Sequence, residues 1–338
     1  MANLLGLSTP SLVASRTPLR ISFAGGGTDL AAFYEQDSGA VLSTAINKYI
    51  YVTVKRHGDV FNERIRLNYS KSEQVQDIAA IENNIARACL QFMKIEPPIY
   101  ISTVGDLPAS TGLGGSSSFA VGLLNALYAY RGERVSAGQL AEEAAYIEIE
   151  LLKEPIGKQD QYAAAFGGMN LFCFRRGGAV TVEPLRLVNG NLSELFKNLA
   201  TFWTGHQRDA SGVLQEQKAK TIEKINSLIK MREYAHELQD ILNDEHLDVK
   251  SFGRILHENW RLKKGLASTI STNQIDRWYE QAMNAGALGG KICGAGGGGF
   301  LLFVVPPDKQ EGVRQALMEL KAVPLAAEVH GSQVLFVE

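Results

Sequence analysis

The sequence predicts an α+β protein of two domains, and three observations predict it. Runs rich in β-branched and aromatic residues crowd the first half, at 20–24, 41–55, 64–69 and 99–104. The composition then turns polar and charged at helical spacing over 212–242 and 249–267. The remainder reads as helix, strand, helix and two closing strands. With 338 residues, 45% of them hydrophobic and 21% charged, the chain can bury a sizeable core, and the composition change puts a boundary near residue 190, giving domains 1–190 and 191–338.

Each element has its own warrant. Arg20-Ile21-Ser22-Phe23-Ala24 alternates as a strand, and Gly25-Gly26-Gly27-Thr28-Asp29 breaks it, so polar groups gather at a strand end. Tyr49 to Val54 is aromatic and β-branched, and 64–69 and 99–104 repeat that character. A helix is expected over 72–93, closed off by Pro97-Pro98. Leu140, Ala144, Ile147 and Leu151 recur at helical spacing among glutamates, which predicts an amphipathic helix over 136–153. The break Pro155-Ile156-Gly157-Lys158-Gln159-Asp160-Gln161 then places Asp160 at the start of a short helix, facing Glu148 across a turn. Taken alone, Asp160 reads as a helix N-cap and Glu148 as a solvated carboxylate. Residues 170–175 and 179–187 read as a hairpin around Gly177-Gly178. The second half gives a helix over 274–285, a strand and glycine loop over 289–305, a helix over 309–320 and two strands.

Several function classes are disfavoured. A net charge of -2 gives no electrostatic footprint for nucleic acid. Cys89, Cys173 and Cys293 lack the paired spacing of a zinc site and read as reduced thiols. No apolar run approaches the ~20 residues of a membrane span, and Ser8, Thr9 and Ser11 interrupt the place of a signal peptide, so a cytoplasmic protein without membrane partners is expected.

The stretch Pro108-Ala109-Ser110-Thr111-Gly112-Leu113-Gly114-Gly115-Ser116-Ser117-Ser118 runs straight into an apolar helix ending near Arg131 and Gly132. Glycines let the backbone approach a ligand closely, and the first amides of the helix have no partners within it, so the loop suits an anion such as phosphate. It is also compatible with a plain Gly/Ser turn. It is not a P-loop, because three serines and no lysine follow Gly115. Gly294-Ala295-Gly296-Gly297-Gly298-Gly299 has the spacing of a dinucleotide fingerprint, but Phe300 to Val305 reads as a strand where that motif requires a helix.

Three motifs in order resemble the GHMP small-molecule kinases. They are Thr17-Pro18-Leu19-Arg20-Ile21-Ser22-Phe23-Ala24-Gly25-Gly26-Gly27-Thr28-Asp29-Leu30, the Pro108 to Ser118 loop, and Lys291-Ile292-Cys293-Gly294-Ala295-Gly296-Gly297-Gly298-Gly299-Phe300. The resemblance spans nearly the whole chain. It implies an N-terminal α/β domain of ribosomal-protein-S5-like topology and a C-terminal ferredoxin-like α+β domain, with the active site between them. It implies ATP and Mg²⁺: amides and side chains of Gly112, Leu113, Gly114, Gly115, Ser116 and Ser117 would hold the nucleotide phosphates, and Ser116 with Glu148 would hold the metal, a hard ion suited to oxygen. Asp160 would accept the proton of the substrate hydroxyl, and Arg20 would sit beside Asp160 and the transferring phosphoryl group.

The departures from the family pattern bear on the substrate. Galactokinases read Gly-Glu-His-Thr-Asp in the first motif, and here Gly26 and Gly27 replace the two side chains that reach the sugar. The opened space suits a larger or anionic sugar, with Gly26, Gly27, Thr28 and Asp29 lining it and Gly296 of the C-terminal motif among the substrate contacts. The Gly-Gly-Gly-Thr-Asp and Gly-Lys-Gln-Asp-Gln pair resembles the D-glycero-D-manno-heptose 7-phosphate kinase branch, and more distantly the bacterial fucokinases. That branch phosphorylates the C1 hydroxyl on the way to nucleotide-activated heptose; a neutral-sugar 1-kinase and a catalytically silent sugar sensor are the alternatives. For the sugar's own phosphate, the polar loop 204–212 offers Arg208, with Lys158 as a second charge. Arg208 reads equally as a surface residue paired with Asp209. The sequence leaves the oligomeric state open.

Overall fold

The computed structural model describes residues 10–187, 190–207 and 211–338. Its first sheet is eight-stranded and is organised by one long strand. After β1 (Leu12–Ala24) and the short helix α1 (Ala31–Tyr34), β2 (Gly39–Arg56) pairs antiparallel with β1 along nearly its whole length. The C-terminal half of β2 also pairs with β5 (Ile99–Gly105), and its N-terminal half with β6 (Met169–Phe174). β3 (Ile65–Asn68) lies parallel to β5 and carries β4 (Ser72–Val75) at the edge; β7 (Val180–Pro184) closes the hairpin with β6.

The helix expected over 72–93 is mostly absent. Ser72–Val75 is strand, and helix α2 begins only at Asn84, capped by the Asn83 side chain, and ends at Phe92. Leu67 pairs with Glu73 and Ile65 with Val75, so the ladder with β3 decides a segment whose own propensity is weak.

Helix α3 (Gly115–Tyr130) is buried on nearly every side because it lies between the first sheet and α4 (Ala137–Ala145) with α5 (Gln159–Phe166). The amphipathic segment after α4 does not stay α-helical: it widens into a π-helical turn over Tyr146–Leu151. Ile147 and Glu148 are buried there, while Leu151, which an α period would bury, is 45% exposed.

Past β7 come α6 (Asn191–Lys197) and a strand that the sequence pattern does not reveal, β8 (Leu199–Trp203). Helices α7 (Ser211–Ala219), α8 (Ile225–Asn243), α9 (Val249–Lys264) and α10 (Asn273–Asn284) follow, then β9 (Gly289–Ile292), β10 (Phe300–Val304), α11 (Gln310–Ala316), β11 (Lys321–Ala322) and β12 (Gln333–Val337). The second sheet is antiparallel in the order β11-β8-β10-β9. β12 is not part of it: it returns to pair with β1 in the first sheet, so the chain's last strand lies with its first. One apolar cluster, including Phe23, Leu42, Leu113, Phe252, Leu256 and Phe300, is drawn from both sheets and fixes one against the other. The cleft between them holds the site.

Candidate active site

Two adjoining pockets occupy this cleft and share a wall containing Arg20, Ile156, Asp160, Leu214 and Gly294. The larger, about 1100 Å³ and open to solvent, is floored by the Pro108 to Ser118 loop and the start of α3. Gly112 (φ +80°) and Gly114 (φ +79°) both adopt the left-handed conformation that glycine permits. At Gly112 the glycine is also needed for close approach: a Cβ there would overlap the Cys293 carbonyl, and one at Gly294 would lie 2.5 Å from the Gly112 Cα. The first and third motifs are drawn to the second in this way, since the Leu113 carbonyl also accepts from the Arg20 amide at 3.0 Å. The amides of Gly115, Ser116 and Ser117 open α3 with no partner inside the helix, and face the larger pocket.

Glu148, 1% exposed, lines the same pocket. Its Oε1 accepts from Ser116 Oγ at 2.9 Å and its Oε2 from Gln161 Nε2 at 2.7 Å. Burial pushes its carboxyl up to about 7, and the hydrogen bonds from Gln161, Ser117 and Ser116 only partly oppose this. Among the described residues it has no ion-pair partner. A buried carboxylate beside two serine hydroxyls is an all-oxygen donor set without a cation of its own, and fits Mg²⁺, which commonly takes one or two carboxylates together with substrate phosphates.

Asp160 opens α5, where its carboxylate accepts from Arg20 Nε and Nη2, both at 2.7 Å, while Arg20 Nη1 donates to the Gly112 carbonyl at 2.8 Å. Arg20 is 4% exposed while the Asp160 side chain is 25% exposed, so this forked pair lies on the wall between the pockets with its guanidinium buried and its carboxylate open to the cleft.

The smaller pocket, about 540 Å³, lies on the other side of that wall. Asp29, 3% exposed, lines it, its Oδ1 accepting from the Gly27 amide at 2.8 Å and its Oδ2 from Gln159 Nε2 at 2.9 Å. Burial raises its carboxyl above the ordinary range, with the Gly27 hydrogen bond opposing. Gly26 and Gly27 line the pocket as well.

The remaining sequence candidates lie elsewhere. The Thr28 hydroxyl donates to the Gly25 carbonyl at 2.8 Å and accepts from the Ala40 amide at 3.1 Å, so it locks the turn onto β2 and does not line the pocket. Lys158 donates to the Gly178 carbonyl at 2.7 Å and pairs with Glu142 at 3.6 Å, which turns its ammonium away from both pockets. Gly296 (φ +107°) packs against Ile270 and borders the larger pocket, not the sugar-sized one. Arg208 lies outside the described residues.

Two further cations line the smaller pocket: Lys291, 2% exposed, which opens the third motif but is given no role there, and Lys263, 5% exposed, which lies in none of the motifs. Lys291 donates to the carbonyls of Ser22 at 2.5 Å and Phe23 at 3.2 Å. Burial, with Lys263 adding to it, brings Lys291 down to about 7, and burial lowers Lys263 too.

Comparison with known proteins finds a family for both halves of the chain. The model of the GHMP kinases N terminal domain matches residues 76–168, and that of the GHMP kinases C terminal domain matches residues 231–321. The chain is 31% identical over 319 residues to the D-glycero-alpha-D-manno-heptose 7-phosphate kinase of Campylobacter jejuni, covering 90% of this chain and 93% of that protein. It is 25% identical to the galactokinase of Pyrococcus furiosus over 91% of this chain and 93% of that one. The crystal structure of a D-glycero-D-manno-heptose 1-phosphate kinase from Bacteroides thetaiotaomicron superposes with a TM-score of 0.78 at 28% identity, covering 96% of this chain and 99% of that one.

Proposed function

Because the chain belongs to the GHMP kinase family and is an ATP-dependent sugar kinase, we propose that its acceptor is D-glycero-D-manno-heptose 7-phosphate, phosphorylated at the C1 hydroxyl to the 1,7-bisphosphate as a step toward nucleotide-activated heptose. The observation that carries the reading is the Arg20–Asp160 pair on the wall common to the pocket of the phosphate loop and the smaller pocket lined by Asp29. An acceptor hydroxyl entering from the smaller pocket and a γ-phosphate from the larger would meet there, and such positioning supplies most of the catalysis of phosphoryl transfer.

The roles follow from the chemistry of each group. Amides at the start of α3, with the Gly112 to Ser117 loop, hold the β- and γ-phosphates at the positive end of the helix dipole. Ser116 and Glu148 hold Mg²⁺, which when bound neutralises phosphate charge. Asp160 accepts the C1 hydroxyl proton; Arg20 fixes the carboxylate through both of its oxygens and lends charge to the transferring group. Asp29, with one oxygen on Gly27 and the other on Gln159, presents its remaining lone pairs to sugar hydroxyls. Arg208 is proposed as a cation for the sugar's own phosphate.

The names of the two heptose relatives place a phosphate at different carbons, one at C7 and the other at C1. The test is therefore a coupled assay of ADP release over heptose 7-phosphate, heptose 1-phosphate, free heptose, L-fucose and galactose, with the position of the new phosphate read by phosphorus NMR. The reading requires preference for heptose 7-phosphate and a new C1 phosphoester. A preference for fucose would return the chain to a neutral-sugar 1-kinase.

A further inference from the structure

The smaller pocket contains a cation and polar groups that the roles above leave unused. Lys263 lies in the last turn of α9, on the same buried stripe as Phe252, Leu256 and Trp260. Its ammonium reaches the pocket, yet among the described residues Lys263 forms no ion pair within 4.0 Å and donates no hydrogen bond. A Cβ placed on Gly26 would lie 3.5 Å from Lys263 Nζ and 3.9 Å from Ser22 Oγ. Ammonium and hydroxyl thus converge on space that exists only because residue 26 is glycine. Ser22, 6% exposed, has an Oγ without a hydrogen-bond partner. Gln217 of α7, 2% exposed, lines the same pocket with its amide Nε2 against Gly27, and both of its polar atoms are unpartnered.

Leaving a buried ammonium, a hydroxyl and a carboxamide unpaired is costly, and native structures seldom accept it without a ligand. What these groups share is the capacity to donate. The competing carboxylate, Asp29, is already engaged by the Gly27 amide and Gln159, and the Lys291 amino group lies beneath the pocket on the Ser22 and Phe23 carbonyls. A dianion with several acceptor oxygens satisfies this set; a sugar hydroxyl alone does not.

We propose that Lys263, Ser22 and Gln217 contribute to a seat for the phosphate that the sugar substrate already carries, and that Lys263 is a residue by which the enzyme tells a sugar phosphate from a free sugar. The inference rests on the acceptor proposed above. It also gives the Gly26 position a reason: the resemblance places a glutamate there in galactokinases, and a carboxylate at this point would neutralise the Lys263 ammonium and fill the seat.

The test is Lys263→Met, with Lys263→Arg and Gln217→Leu beside it. Titration calorimetry with heptose 7-phosphate and steady-state kinetics with heptose 7-phosphate, free heptose and ATP are measured for each. In Lys263→Met the Kd and KM for heptose 7-phosphate should rise about tenfold or more, as expected for a lost charge-assisted contact. The KM for ATP should change little, the loss on free heptose should be clearly smaller than that on heptose 7-phosphate, and Lys263→Arg should recover part of the loss. Should Lys263→Met fail to fold by thermal melt, Gln217→Leu carries the test with a smaller effect of the same selectivity. An unchanged KM for heptose 7-phosphate, or an equal loss on phosphorylated and free heptose, overturns the inference while leaving the heptose 7-phosphate reading intact. A wild-type enzyme as active on free heptose as on heptose 7-phosphate overturns both.

Discussion

Replacing Asp160 by asparagine separates the chemical from the structural part of the Arg20–Asp160 pair. The aspartate accepts two hydrogen bonds of 2.7 Å from Arg20, whose side chain is 5% exposed. An asparagine oxygen can accept one of them, while its amide nitrogen faces a second donor. The loss of one charge-assisted bond in a nearly buried setting costs roughly 1.5–3 kcal/mol, well below the ~5–15 kcal/mol that holds a domain folded. The variant should therefore fold and melt cooperatively at a somewhat lower temperature. Its larger effect falls on the reaction: without a proton acceptor the rate should drop by about 10²–10⁴, equivalent to roughly 3–5 kcal/mol of barrier. The smaller end applies if the transition state is loose and needs little proton removal. Because the amides of the phosphate loop are untouched, ATP binding measured by calorimetry should be nearly unchanged. A kcat close to wild type in folded protein would remove Asp160 from the proton-accepting role. A fall in kcat matched by lost ATP affinity would place the effect instead on Arg20 and its bond to the Gly112 carbonyl.

Three further substitutions test separate parts of the site. Glu148→Gln should raise the Mg²⁺ concentration needed for half-maximal activity, and in metal-free protein it should also change stability with pH. The folded-state value of about 7 lies above the ordinary 4.5, so Glu148's own contribution to wild-type stability is most favourable below pH 4.5 and is lost as the pH rises to 7. Glutamine removes a penalty of roughly 3 kcal/mol, so chemical denaturation with chelator present should find the variant more stable than wild type at pH 8, with no such gain at pH 4.5. Gly112→Ala forces a side chain into a left-handed residue and against the Cys293 carbonyl, which should cost about 1–3 kcal/mol in backbone strain alone and weaken ATP binding in calorimetry. Arg208→Ala should raise the KM for heptose 7-phosphate and leave that for ATP nearly unchanged in the ADP-release assay; an unchanged sugar-phosphate KM would return Arg208 to the surface reading.

Much of the architecture was legible because it is written in local periodicity. Helices α3, α9 and α10 and strands β2, β5 and β10 carry their own pattern, and the structure places them close to where that pattern does, whereas the helical stretch expected over 212–242 divides into α7 and α8. The errors occur where a partner decides. Ser72–Val75 has no strong preference and becomes strand through its ladder with β3. Leu199–Trp203 is only five residues long, and acquires its identity as β8 between β10 and β11, more than 90 residues away in the chain. The turn after α4 reads as a continuing amphipathic helix, but the π-helical widening exposes Leu151 and leaves Glu148 buried.

The site divides along the same line. Asp29, Asp160 and the phosphate loop stand close to glycines that mark them in the sequence, since a backbone that must turn sharply needs glycine where it turns. Arg20 and Lys291 also fall inside the motifs, but Lys263 has no such mark. A lysine in the last turn of a helix, flanked by Arg261 and Lys264, ordinarily reads as a solvated group favoured by the helix dipole. Counting from Phe252 through Leu256 and Trp260 to residue 263 puts Lys263 on the apolar stripe instead, and that is the signal which could have found it. A charged residue on a buried stripe has to meet either a counter-charge or a ligand. Here the first motif supplies no direct ion-pair partner: residues 26 and 27 are glycines, and Asp29, the nearest opposing charge of that motif, is hydrogen-bonded to the Gly27 amide and Gln159 instead. The glycines of the N-terminal motif and the lysine of α9 are therefore two halves of one change: one removes side chains from the sugar pocket, the other puts a positive charge in reach of the space they leave.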